Sequence, residues 1–228
     1  MNKIVAMVPA AGSGTRMGCA IPKQYVTLHG RPMLWYSAST LLAHPRIDQV
    51  VIVIDDTDRY WEALGLAQSL SACKLLRQGG ESRAQTVLNA LRALRTGLHD
   101  DDWILVHDAA RPCLDEVALD RLFHALLEDP VGGLLAVPVR DTLKQALPDG
   151  RVARTQPRAG YWQAQTPQMF RYGLLLRALT SVELAQVTDE ASAVEALGLN
   201  PRLVQGSARN IKVTYPEDVE LAHILLTK

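Results

Sequence analysis

The sequence predicts an α/β fold of three layers, a mostly parallel, twisted sheet with helices on both faces. Two observations predict it. Short β-rich runs alternate with stretches in which apolar residues recur at helical spacing. The chain has 228 residues, 48% of them hydrophobic, which suffices for one core but not comfortably for two. One domain over residues 1–228 is therefore expected.

The strand candidates in order are Ile4–Val8, Val50–Ile54, Lys74–Leu76, Trp103–Val106, Gly133–Val139, and Leu203–Val204 with Ile211–Val213. Helical spacing appears in Leu34-Ser37-Ala38-Leu41-Leu42, in Val87-Ala90-Leu91-Leu94 and in Leu119-Leu122-Phe123-Leu126. Pro32 suits a first helical turn. Thr214-Tyr215-Pro216-Glu217 resembles a capping box with Pro just inside the last helix. Thr188-Asp189-Glu190 puts a hydroxyl and two acids at another helix N-terminus.

One segment breaks the alternation. Arg140 to Gln165 is polar, carries a Pro148-Asp149-Gly150 turn and is predicted to be a protruding β-hairpin arm; a solvated loop is the plain alternative.

In a parallel sheet, ligands sit beyond the carboxyl ends of the strands, so function belongs in the loops after Val8, Ile54, Leu76, Val106 and Val139. The first is Pro9-Ala10-Ala11-Gly12-Ser13-Gly14-Thr15-Arg16-Met17. It fits neither the P-loop, which needs Gly-Lys-Ser/Thr, nor the dinucleotide fingerprint, whose third glycine position is occupied by Met17. Its small residues let backbone N–H groups approach a ligand, and Gly12 and Gly14 can take the positive φ of such a turn. Arg16 and then Lys23 add charge suited to a polyphosphate, although Lys23 taken alone would be an ordinary surface lysine.

The loop after the third strand, Gly79-Gly80-Glu81-Ser82-Arg83-Ala84-Gln85-Thr86, either hydrogen-bonds a base or phosphate or is simply a well-capped helix start. In His107-Asp108-Ala109-Ala110-Arg111-Pro112, a carboxylate at the end of a buried strand must be paired or metal-bound. Asp108 is thus a candidate magnesium ligand, with an ion pair to Arg111 as rival. His107 is expected to make a structural hydrogen bond.

Composition narrows the partners. Lys plus Arg and Asp plus Glu are both 24, so a general nucleic-acid binder is disfavoured. Cys19, Cys73 and Cys113 are scattered, which disfavours a disulfide framework or zinc site. No apolar run approaches the ~18 residues of a membrane span, and the N-terminal run is too short for a signal peptide. A soluble cytoplasmic protein is expected.

The loop motifs with Pro22-Lys23-Gln24 are similar to nucleotidylyltransferases that activate phosphorylated sugars and polyols. Val106–Pro112, Pro138–Lys144, Gln165–Gln168, Thr188–Glu190 and Asn210–Thr214, in this order, narrow the likeness. The chain resembles the 2-C-methyl-D-erythritol 4-phosphate cytidylyltransferase family over essentially its whole length.

That resemblance implies a Rossmann-like nucleotidyltransferase domain transferring CMP from CTP, with magnesium or another divalent cation. It implies that the loop of Pro9, Ala10, Ala11, Gly12, Ser13, Gly14 and Thr15 holds the nucleotide. Gly80, Glu81, Arg83, Thr86 and Ala109 would also face it, while Arg16, Lys23 and Lys212 would be catalytic cations. Asp108, Arg111, Thr142, Arg158, Thr166 and Thr188 would recognise the polyol phosphate, with Thr142 and Arg158 on an arm that crosses to the partner of a homodimer. The sequence departs from common family choices at Glu81, Ser82 and Thr86. The alternatives are a ribitol 5-phosphate cytidylyltransferase, a non-catalytic nucleotide-binding regulator, and a glycosyltransferase. The last is poorly served by Ile54-Asp55-Asp56.

Overall fold

The computed structural model describes residues 2–12 and 21–227. In chain order the strands and helices are β1 (Ile4–Pro9), β2 (Thr27–Leu28), β3 (Arg31–Pro32), α1 (Met33–Ala43), β4 (Gln49–Ile54), α2 (Tyr60–Ala63) and α3 (Leu66–Ser69). Next come β5 (Lys74–Arg77), α4 (Arg83–Leu94), β6 (Trp103–Val106), α5 (Glu116–Leu126), β7 (Gly132–Pro138), β8 (Leu143–Ala146) and β9 (Val152–Gln156). The chain ends with β10 (Trp162–Arg171), α6 (Tyr172–Thr180), α7 (Glu190–Glu195), β11 (Arg202–Gln205) and α8 (Pro216–Leu226).

Seven strands form one sheet in the order β11-β7-β10-β6-β1-β4-β5. Its pairs are parallel except where β10 lies antiparallel between β7 and β6. The inner strands β1, β4 and β6 are buried on both faces. Ile4, Ala6 and Val8 of β1 pack with residues of α1, α2, α3 and α5, whereas Val5 and Met7 pack with α4, α6 and α7. Both faces of β1 need apolar residues, so its sequence is a continuous apolar run. A smaller cluster, with Leu28, Met33, Cys113 and Val213, seats Ala222 of α8.

Three features differ from the sequence expectation. Ile211–Val213 is not a strand: only Arg202–Gln205 pairs with β7, and Val213 N instead donates to Ala110 O at 2.8 Å. The apolar pattern there serves the third cluster rather than a ladder. β10 was not anticipated as a sheet strand, because Pro167 interrupts the run and a proline demotes a strand reading. β10 accommodates it with a cis Thr166–Pro167 peptide and a register shift between Ala164 and Gln168. Finally, the expected arm of residues 140–165 divides in two. β8 and β9 form a separate hairpin around the Pro148–Gly150 turn, while Trp162–Ala164 already pair with β7 in the main sheet.

The last helix is capped one residue later than the sequence suggested. Tyr215 is the N-cap, and the Asp218 carboxylate, not Glu217, accepts from the backbone N–H groups of Thr214 and Tyr215, both at 2.8 Å.

At the start of β7, Gly132 has φ +97°, and a Cβ there would run into the backbone oxygen of Met169 in β10. Gly132→Ala is expected to cost roughly 1–3 kcal/mol from the strained backbone alone, with the clash adding to it. At about 2–4 °C per kcal/mol for a chain of this size, the melting temperature should fall by roughly 2–12 °C from strain alone in thermal denaturation. An unchanged melting temperature would show that β7 and β10 can separate locally at no cost.

Candidate active site

The carboxyl ends of β1 and β6 and the N-terminus of α4 enclose a cleft of about 310 Å³. β1 delivers Pro9 to it and then the turn Ala10-Ala11-Gly12. Ala10 N donates to Val53 O at 2.8 Å, and the buried Gln24 amide donates to Ala10 O at 2.7 Å and Gly12 O at 3.0 Å. The backbone of this turn is therefore held in place by Gln24, which the sequence marked only as part of the Pro22-Lys23-Gln24 motif. Gly79 packs so closely that an added Cβ would lie 2.6 Å from the Ala11 Cβ. Gly12 does not use the left-handed backbone that was open to it. Ser13, Gly14, Thr15 and Arg16 lie outside the described residues.

On the opposite wall, α4 begins with Ser82 as N-cap, its hydroxyl accepting from Gln85 N at 3.0 Å. The Thr86 hydroxyl accepts from Gly80 N and donates to Ser82 O, each at 3.0 Å. The capping function anticipated for this segment thus falls on Ser82, and Thr86 braces the Gly80 turn. Glu81 stands exposed at the rim.

Asp108 is the electrostatic centre. Its carboxylate receives Arg83 Nε on Oδ1 and Lys212 Nζ on Oδ2, both at 2.7 Å. Burial by itself would raise its pKa; the charges of Arg83 and Lys212 outweigh burial and hold it far below the usual carboxylate range. The ion pair that Asp108 needs is therefore supplied by Arg83 and Lys212. Arg111, the anticipated partner, donates instead to backbone carbonyls, Nη1 to Asn210 at 2.7 Å and Nη2 to Ala164 at 3.3 Å.

Arg83 has a second partner. Its Nη1 and Nη2 donate to the two carboxylate oxygens of Glu190 at 2.7 and 3.0 Å. Glu190 is 1% exposed, at the first turn of α7. Nothing local pairs it with Arg83, which lies 107 positions away. The available signal was two adjacent acids at one helix start. Asp189 caps α7 by accepting from Ser192 N, which leaves Glu190 for another task.

Behind Asp108, His107 is fully buried. His107 Nε2 faces Arg111 O at 3.1 Å, and a carbonyl can only accept, so Nε2 carries the proton. His107 Nδ1 must then accept from the Thr166 hydroxyl at 3.0 Å, while that same oxygen accepts from Asp108 N at 3.0 Å. The structural hydrogen bond expected of His107 is this one. Burial, reinforced by the Arg111 charge, pushes its pKa down from 6.5 to about 4 against the raising effect of Asp108.

The expected nucleotide-side residues Pro9, Ala10, Ala11 and Gly12 thus share the cleft with Lys23, Gly80, Glu81, Arg83 and Thr86, and with Asp108, Ala109 and Lys212. Arg111 and Thr166 sit buried just behind it. Thr142, Arg158 and Thr188 are exposed and are not among the described residues lining it; the Arg158 guanidinium donates to Arg140 O at the base of the arm. Among the described residues, no group of three or more His, Cys, Asp or Glu side chains is placed to hold a metal ion.

Residues 4–228 match the family model described as 2-C-methyl-D-erythritol 4-phosphate cytidylyltransferase. The chain belongs to this family. It is 52% identical to the 2-C-methyl-D-erythritol 4-phosphate cytidylyltransferase of Nitrosospira multiformis, over 99% of this chain and 98% of that one. The enzyme of the same name from Chromobacterium violaceum is also 52% identical, over 98% and 97%. Among solved structures, a 4-diphosphocytidyl-2C-methyl-D-erythritol synthase superposes with a TM-score of 0.88 at 42% identity, over 99% of each chain. The 2-C-methyl-D-erythritol 4-phosphate cytidylyltransferase of Francisella tularensis gives 0.83 at 34% identity, over 99% of this chain and 100% of that one. The Rossmann-like, three-layer nucleotidyltransferase fold is thus shared.

The lowered pKa of His107 has a consequence for stability. A base whose folded pKa is depressed takes up its proton on unfolding, so its contribution is intact above about pH 6.5 and is lost as pH falls toward about 4. A shift of this size corresponds to roughly 3 kcal/mol, at about 1.4 kcal/mol per pKa unit. Urea unfolding of His107→Gln across this window should show up to one fewer proton taken up than the parent. An identical proton uptake in the two proteins would mean that His107 is not held neutral by the fold.

Proposed function

We propose that this cleft transfers a cytidylyl group from CTP to 2-C-methyl-D-erythritol 4-phosphate, giving 4-diphosphocytidyl-2-C-methyl-D-erythritol and pyrophosphate, a step of non-mevalonate isoprenoid precursor synthesis. The reading is carried by membership of the family over nearly the whole chain. It is supported by the gathering of four of its motifs, around Ala10, Lys23, Asp108 and Lys212, on one cleft.

In the reaction, an oxygen of the acceptor's phosphate forms a bond to the α-phosphorus of CTP. The bond from that phosphorus to the bridging oxygen breaks, and its electron pair leaves with pyrophosphate. The attacking oxygen is already anionic, so the protein need not remove a proton; it must position the groups and neutralise charge. Lys23 and Arg16 act on the α-phosphate, and the loop of Ala10, Ala11, Gly12, Ser13, Gly14 and Thr15 holds the triphosphate, with the Ala10 amide itself kept by Val53 O. Gly80, Glu81, Arg83, Thr86 and Ala109 face the nucleoside. Asp108, Arg111, Thr166 and Thr188 hold the polyol phosphate, and Lys212 is the third catalytic cation.

A divalent cation, magnesium by preference, belongs to this reading. Asp108 and Glu81 are the carboxylates among the described residues of the cleft, and both oxygens of Asp108 already receive cations. This donor set fits an ion carried largely by substrate phosphates, with Asp108 as one protein oxygen, and does not make a protein cage. When bound, such an ion would offset the negative charge brought in by the two substrates.

The active form is read as a homodimer in which each arm, within residues 140–165, reaches the other subunit's cleft with Thr142 and Arg158. Support comes from their not being among the described residues that line their own cleft and from the exposed Leu147, Val152, Tyr161 and Trp162. A two-stranded hairpin is marginal by itself. Each chain is one domain of residues 1–228, working in the cytoplasm. No helix among the described residues is long and apolar enough to cross a membrane.

Pyrophosphate release should require both CTP and methylerythritol phosphate, and should stop in excess chelator. CTP binding without pyrophosphate release would instead make this a nucleotide-binding regulator, and faster turnover with ribitol 5-phosphate would change the acceptor.

Lys23→Ala should lower turnover by roughly 100- to 1,000-fold, as for loss of one preorganised donor. Mixing Lys23→Ala with a similarly impaired Arg158→Ala in equal amounts tests the arm. If each site combines Lys23 of one chain with Arg158 of the other, about a quarter of all sites recover, by the combinatorics of a two-fold dimer. No recovery, once mixed dimers are shown to have formed, would return Arg158 to its own chain's site or to none.

A further inference from the structure

We propose that Glu190 is a positioning residue for cytidylyl transfer: it holds the Arg83 guanidinium on Asp108, so that Lys212 can turn to a substrate phosphate without leaving Asp108 uncompensated. This inference rests on the function proposed above.

Glu190, Arg83, Asp108 and Lys212 form a chain of alternating charge with contacts of 2.7 Å at every link. The rigid fork of Arg83 is clamped at both ends, Nε on Asp108 and both Nη atoms on Glu190. Glu190 is itself anchored. Gln168 of β10 donates to Asp189 Oδ2 at 2.8 Å and accepts from Ala191 N at 2.8 Å, fixing the residues on either side of it.

Exposure shows which link can open. The side chains of Glu190 and Asp108 are 1% and 8% exposed, that of Arg83 is 28% and that of Lys212 is 40%. Lys212 is the solvent-facing end, on a segment with no sheet pairing, and it lines the cleft. An arriving phosphate competes with Asp108 for Lys212. Asp108 tolerates that loss because Arg83 remains, and Arg83 remains because the nearly buried Glu190 balances its charge. Without the Glu190 carboxylate, Arg83 is drawn to the same polyanion, and Asp108 loses both side-chain partners together, leaving the substrate-borne ion as the charge that faces it.

The test is steady-state kinetics of the full-length enzyme with CTP and methylerythritol phosphate, using Glu190→Gln, Arg83→Ala and the double variant, with melting temperatures alongside. Glu190→Gln is expected to lower kcat about 10- to 100-fold, the effect of misplacing a reacting group by about an ångström, while KM for CTP does not rise because the site has gained net positive charge. In the Arg83→Ala background the same change should leave the residual kcat within about twofold.

An unchanged kcat in folded Glu190→Gln, or an equal loss in both backgrounds, would overturn the proposal and leave Glu190 as a brace between α4 and α7. If Glu190→Gln does not fold, Glu190→Asp keeps the charge but is one methylene shorter, and the same comparison with Arg83→Ala applies. A parent enzyme that releases no pyrophosphate would sink the proposed function first; an active parent with an indifferent Glu190→Gln sinks only this inference.

Discussion

The cleft depends on one constraint: the Asp108 carboxylate sits at the end of a buried strand and has to be neutralised there. Leaving it unpaired would cost several kcal/mol, and its attraction to two cations at 2.7 Å mainly offsets the desolvation of all three groups rather than adding net stability. What the arrangement secures is geometry. Arg83 comes from the start of α4, and Lys212 comes from the unpaired segment before α8. Neutralising one carboxylate therefore fixes the relative positions of three elements far apart in the chain.

The reversed direction of β10 is part of the same design. In the parallel strands only the carboxyl ends reach the cleft. An antiparallel strand brings its amino-terminal half there instead, and Gln168 lies opposite Val106, two residues before Asp108. This delivers Thr166 to His107 and Asp108, and Gln168 to the start of α7. The network is not fully closed. Arg111 Nε, Gln165 Oε1 and Asn210 Oδ1 have no hydrogen-bond partner among the described groups, so the unsatisfied buried side-chain atoms lie together just behind the cleft.

The arm obeys different physics. Its residues are largely exposed, its two strands pair only with each other, and its apolar side chains have no core to join. It stands apart from the sheet that organises the cleft. Thr142 and Arg158, both exposed, are not among the described residues lining the cleft that Asp108 organises.

Local pattern alone determined the layers, most of the parallel strands and the loops that carry chemistry, because burial on both faces demands unbroken apolar runs and strand ends expose the backbone. It also marked Asp108 as a carboxylate in need of a partner. Only the tertiary structure decided which partner. The choice between Arg111, three residues away, and Arg83 with Lys212 depends on where α4 and the segment before α8 come to rest, which no spacing encodes. The same holds for Glu190, hidden behind an ordinary helix cap, and for β10, whose proline obscured a strand completed by neighbours on both sides. Hydrophobic periodicity is written residue by residue, whereas the compensation of a buried charge is settled by whichever group the finished fold brings within 3 Å.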